Sequence, residues 1–141
     1  SLRDGDLDFT ELDDLNHIVR FRLKCYASEN LMLTDEALEA MNTNWILIKK
    51  SVDDWMNKNP NHQYFDEMKS FKDGNYDRQK HKLKDVRNIL ASFISNKAWE
   101  VVVGQTIGKL TIGQTQRFDT DGSIYKFLGE KLCKTILPKA T

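Results

Sequence analysis

Two stretches of the chain place carboxylates at spacings that hard cations favour. In RFDTDGSIYKF (117–127), Asp119 and Asp121 precede Gly122. An EF-hand loop needs oxygen ligands at positions 1, 3, 5, 7, 9 and 12, with glycine at 6. With Gly122 at position 6, Arg117 falls at 1 and Leu128 at 12. A cation and an alkyl group at the two outer ligand positions defeat the loop. Asp-Thr-Asp-Gly is instead expected to turn the chain as a hairpin, with glycine taking the positive-φ place. The N-terminal RDGDLDFTEL is a closer imitation: with Gly5 at position 6, Asp4, Asp8 and Glu11 fall at 5, 9 and 12. Its front half is absent, with Leu2 at position 3, so these three are metal candidates only in a degenerate loop. The competing expectation is an acidic tail whose Asp8 and Glu11 cap a short helix.

Catalytic constellations are absent from the pattern. His17, His62 and His81 lack metal-ligand spacing, and neither Cys25 nor Cys133 has a neighbouring histidine to activate it. The run GQTIGK (104–109) lacks the glycine directly before lysine, and the Ser or Thr after it, that a P-loop requires. The expectation is a non-enzyme without cofactors, its two thiols free in a reducing compartment.

Composition bounds what can position such groups. The 141 residues suffice for one domain with a real core. Twenty-one Lys and Arg balance 21 Asp and Glu, which gives no field to steer nucleic acid. No apolar run nears the ~18–20 residues that span a bilayer. The chain opens in an acidic stretch without a starting Met, which reads as part of something longer. Residues 1–16 carry six carboxylates against Arg3, and residues 1–17 are set apart as an acidic N-terminal segment from a domain over 18–141.

In 18–26, Val19, Phe21, Leu23 and Cys25 alternate with Arg20, Arg22 and Lys24. That period of two predicts a half-buried strand; a helix from about residue 9 through Phe21 is the competing reading. Thr34 then opens a helix over about 34–57. Its stripe of Leu38, Met41, Trp45, Ile48, Val52 and Trp55 keeps spacings of 3 and 4 and is expected in the core, and Asn59-Pro60 ends it. Residues 59–75 read as a connecting insertion. A second helix over 77–96 would turn Leu83, Val86, Leu90 and Phe93 inward and leave Arg78, Lys80, Lys82, Lys84 and Arg87 as a solvated face.

From residue 98 the composition shifts to Val, Ile, Thr and aromatics punctuated by Gly104, Gly108, Gly113 and Gly129. Five segments, 98–104, 106–113, 114–118, 123–129 and 131–137, read as consecutive strands. The expected fold class is α+β: two helices packed on one face of an antiparallel sheet of four to five strands.

This order resembles the dynein light chains, most closely the Tctex-type family, over about residues 76–137. Trp99-Glu100 stands at that family's aromatic–Lys position, Val101-Val102-Val103 at its valine strand, and Ile107-Gly108 at its Ile-Gly pair. Phe118-Asp119 stands at its Trp-Asp, Thr120-Asp121-Gly122-Ser123 at its turn, and Lys131 to Ile136 along its last strand. Trp99, Gly104, Gly108, Thr115 and residues 125–129 also resemble the small homodimeric dynein light chains, including tegumental calcium-binding proteins in which such a domain follows EF-hands. The resemblance implies a cytoplasmic, cytoskeleton-associated homodimer. It would capture dynein intermediate chain or another extended peptide by adding it to a sheet edge, without nucleic acid or membrane insertion. The candidate edge is Thr106, Ile107, Gly108, Lys109, Leu110, Thr111 and Ile112. The second version it implies is a calcium-responsive EF-hand fragment with the light-chain-like domain as its output.

Overall fold

Burial alternates residue by residue along the extended segment that enters the body: Phe21, Leu23, Cys25 and Ala27 are buried, while Arg22, Lys24 and Tyr26 are half-buried. In the computed structural model, which describes residues 2–140, this segment holds β2 (Phe21–Arg22), paired in parallel with β1 (Leu2–Arg3). Leu2 lies opposite Phe21 and Arg3 opposite Arg22. Further main-chain bonds prolong the pairing, from Leu23 N to Arg3 O (2.7 Å), Gly5 N to Cys25 O (3.0 Å) and Asp6 N to Tyr26 O (2.7 Å).

The remaining regular elements are helices. A 3₁₀ helix (Ser28–Leu33) leads into α1 (Asp35–Ala40) and α2 (Trp45–Lys58). Then follow α3 (Phe65–Asp73), α4 (Arg87–Ile94), α5 (Trp99–Ile107), α6 (Ile124–Leu128) and α7 (Glu130–Ile136). The expected helix over 34–57 is therefore two, broken where Asn42 takes φ 59° and Asn44 caps α2 by accepting the Leu47 amide at 3.0 Å. Asparagine tolerates the left-handed region and competes for backbone amides, so the apolar stripe continues across a break in the backbone. Leu38, Ile48 and Val52 from that stripe are fully buried, with Met41, Trp45 and Trp55 packed against the core.

The connection 59–75 is more than a linker. It contains α3, whose Met68 and Phe71 are completely buried. The second expected helix forms only over its last part. Asp77 draws the Gln79 and Lys80 amides onto its carboxylate (3.1 and 2.9 Å) and holds the chain in a turn. Leu83, Val86 and Leu90 still point inward.

The expected antiparallel sheet over 98–137 does not exist, and the α+β assignment is corrected to a mainly helical fold. Among the described residues, the only sheet is the parallel pair β1–β2, with isolated bridges at Leu15–Ile18 and Ile112–Lys139. Val101 is 44% exposed while its neighbours Val102 and Val103 are buried, an order that departs from the alternation of a strand. Trp99, Val102, Val103 and Thr106 instead line one helix face, half-buried Trp99 against the core and the other three buried. Ile124, Phe127, Leu128, Leu132 and Cys133 keep the same 3–4 rhythm across α6 and α7. Tertiary burial of a helical stripe has overridden the strand preference of β-branched residues.

Helix α5 packs on the 3₁₀ helix and α1, α2 packs on α3 and α4, and α6 packs on α7 and touches α1. Among the described residues, no helix is long and apolar enough to cross a membrane.

Candidate functional site

The acidic segment lies along the basic side of the β2 ribbon. The Arg22 guanidinium meets the Asp8 carboxylate at 2.6 Å, and the Arg22 amide donates to Glu11 Oε1 at 3.1 Å. Lys24 Nζ reaches Glu11 Oε2 at 3.0 Å and Phe9 O at 2.5 Å. From α7, Lys131 Nζ donates to Asp14 Oδ1 (2.9 Å), Leu12 O (2.9 Å) and Arg20 O (2.7 Å), and stands 5.5 Å over the Phe21 ring. A two-residue reversal at Asn16 and His17, both at positive φ, closes the segment, with Leu15 and Ile18 exchanging main-chain bonds. Hydrogen bonds from Thr10, and after them the Arg22 guanidinium, hold Asp8 below the usual carboxylate range. Those from Lys131 and the Arg20 amide do the same for Asp14.

Gly5 makes this seating possible. A Cβ there would lie 2.3 Å from Cys25 O and 2.5 Å from Leu23 O, both main-chain atoms of the ribbon. Only a residue without a side chain lets the two backbones approach this closely.

Next to the ribbon opens a cleft of about 970 Å³ between loop 113–120 and helices α6 and α7. Lys24, Arg117, Lys126 and Lys134 line it together with Asp119 and Glu130, so cations outnumber carboxylates four to two. Gln79, Gln114, Gln116 and Thr120 add neutral hydrogen-bonding groups, and Phe118 gives an aromatic face. Each cation has a carboxylate neighbour: Glu130 lies 3.2 Å from Lys134, Glu36 3.7 Å from Arg117 and Asp121 4.0 Å from Lys126. Partly exposed pairs of this kind are worth about 0–1 kcal/mol, so an incoming anion can compete for them. A second cleft of about 550 Å³ shares Gln79 and Lys126 with the first and is walled by Trp45, Tyr76 and Lys80.

Local structure fixes this surface. Gly129, at φ 89°, joins α6 to α7, and a Cβ there would come within 2.9 Å of the Lys24 stem. Lys24 therefore runs over a bare backbone patch, with its ammonium on the acidic segment and its methylenes on the cleft wall. Glu36 anchors the start of α6 by accepting the Ile124 amide at 2.8 Å and the Ser123 hydroxyl at 3.3 Å. The 119–122 stretch turns the chain into α6 and does not join two strands. Gly122 sits at φ 80° with the Arg78 guanidinium against it, and its carbonyl accepts the Asp35 amide at 2.8 Å.

The residues singled out in the sequence fall in several places. Thr106 and Ile107 belong to α5, and Gly108, Lys109, Leu110 and Thr111 form its end and the loop that follows. Ile112 bridges to Lys139, donating to Pro138 O (2.8 Å) and accepting from Ala140 N (2.9 Å). The strand edge expected at 106–112 is thus helix and loop, and its last residue is already paired. Asp4, Asp8 and Glu11 do not converge: Asp4 accepts the Ser28 amide (3.0 Å), while Asp8 and Glu11 serve Arg22 and Lys24. Among the described residues, no three His, Cys, Asp or Glu side chains gather as a metal site. Of the expected basic helix face, Arg78 is buried, donating to Leu33 O and Asp35 with its guanidinium 4.7 Å from the Trp45 ring. Arg87 lies over Trp99 at 5.7 Å.

The cysteines are free and buried; burial pushes both thiols up, Cys133 to about 12. His62 packs edge-on against Trp55 (4.9 Å), and burial lowers His81. The seating of the acidic segment on the ribbon has a signal in the sequence, six carboxylates in 1–16 beside the Arg20, Arg22, Lys24 alternation, whereas the continuity of ribbon and cleft has none. Comparison of the chain with protein-family models, curated proteins and solved structures gives no match.

Proposed function

We propose that the protein is a non-catalytic binding module that takes an extended acidic polypeptide segment along a basic track. The track runs from the β2 ribbon into the cleft beside α6 and α7. One observation carries this reading: Lys24 belongs to both surfaces, and on the ribbon side it already holds an acidic, extended stretch of chain. The ribbon contributes Arg22 to the same row, α7 contributes Lys131 beside it, and the cleft contributes Arg117, Lys126 and Lys134. Main-chain pairing positions an extended occupant without regard to sequence, and the row of cations selects for acidic side chains. Strand capture expected at 106–112 is thereby reassigned to the β2 ribbon, whose outer ladder residues 2–6 of the same chain occupy.

The test is fluorescence anisotropy of labelled decaglutamate titrated with the full chain at low and moderate salt. The expected result is saturable binding that weakens steeply with salt and falls at least tenfold in the Arg117→Gln/Lys126→Gln double variant. Equal binding of a neutral peptide of the same length, or an unaffected double variant, would overturn the reading.

A further inference from the structure

We infer that the N-terminal segment, residues 2–14, is an internal competitor for this track, so that binding in trans requires its displacement. The inference rests on the function proposed above and adds its regulation. The segment already satisfies what a ligand would satisfy: the Leu23 amide is bonded to Arg3 O, Arg22 to Asp8, Lys24 to Glu11 and Lys131 to Asp14. Its hold is local. Among described residues 2–20 only Gly5 is buried, and Leu2, Leu7, Leu15 and Ile18 are each more than half exposed. A segment fixed by charge pairs and a few main-chain bonds can leave without opening the core beneath it. Lys24 transmits the effect, because its ammonium cannot serve both Glu11 and an anion in the cleft at full strength.

Gly5→Ala tests this in the full chain without altering a single charge. The new methyl collides with the carbonyls of Leu23 and Cys25, whereas the track keeps all its cations. The expected result is decaglutamate affinity at least tenfold above the parent, together with lost exchange protection at the Asp6 and Leu23 amides. A second full-chain variant, Asp8→Asn/Glu11→Gln/Asp14→Asn, should tighten binding in the same direction. A charge-matched control on the body, Glu39→Gln/Asp54→Asn/Glu67→Gln, should leave it unchanged. If Gly5→Ala binds as the parent does while Arg117→Gln/Lys126→Gln still weakens binding, competition is wrong and the track stands. If neither the parent nor Gly5→Ala binds the peptide, both ideas fall. Tightening by the control as large as by the acidic-segment variant would reduce the effect to net charge and overturn the inference.

Discussion

Residues 2–20 and the helical body are held by different forces. The body encloses Leu23, Met32, Leu38, Ile48, Phe71, Leu90 and Phe127 with almost no exposure, each worth about 1.5–3 kcal/mol of apolar burial. The N-terminal segment buries one glycine and depends on ion pairs that salt screens and that contribute about 0–1 kcal/mol apiece. One chain thus joins a part fixed by deep apolar burial to a part fixed by surface charge pairs and a few main-chain bonds. A surface meant to be shared between an internal and an external ligand needs the second kind of attachment.

The comparison breaks most visibly through the core. Phe127→Ala empties a fully buried site between α6 and its neighbours and should cost about 3–5 kcal/mol in chemical denaturation. The loss should appear equally by far-UV dichroism and tryptophan fluorescence if the body is one cooperative unit. Gly122→Ala should cost less, about 1–3 kcal/mol. The residue sits at φ 80°, and its new methyl would meet the Arg78 guanidinium, disturbing the Arg78–Asp35 pair and the entry to α6. A loss below about 0.5 kcal/mol would mean that this turn does not brace the body.

Acid should separate the two regions with a smaller effect. Asp8 and Asp14 are depressed in the folded protein, so their contribution is complete above the unfolded carboxylate value of about 3.9. It is lost as pH falls through their lower folded values. Amide spectra recorded down the acid range should show the 2–20 signals moving to random-coil positions. Body signals should persist to lower pH, and simultaneous loss of both sets would argue against separable attachment.

Sequence patterns carried the local burial better than the element type. Phe21, Leu23 and Cys25 could be read as inward from strict alternation, and Leu38, Ile48, Val52, Leu83, Val86 and Leu90 from helical spacing. The failure lay in 98–137. There Val101, Val102 and Val103 satisfy a strand by composition, and the decisive observation, that adjacent valines share one buried face while the third is exposed, exists only after packing. The same three-to-four rhythm joins Ile124, Phe127, Leu128 and Leu132 but crosses Gly129, which hid it as a turn between strands. The site was half legible. Opposite charge in 1–16 and 20–24 was visible, but the glycine contact that seats one on the other depends on a main-chain distance that sequence does not encode.

The most direct test of separable attachment is residue-resolved amide hydrogen exchange on the parent chain at two ionic strengths. The Gly5, Asp6 and Leu23 amides should open with a free energy well below that of the Ile48 and Leu90 amides, and added salt should lower the first group alone. Opening free energies that coincide in both groups and respond alike to salt would show the acidic segment to be an integral part of the core fold, and the account would fail.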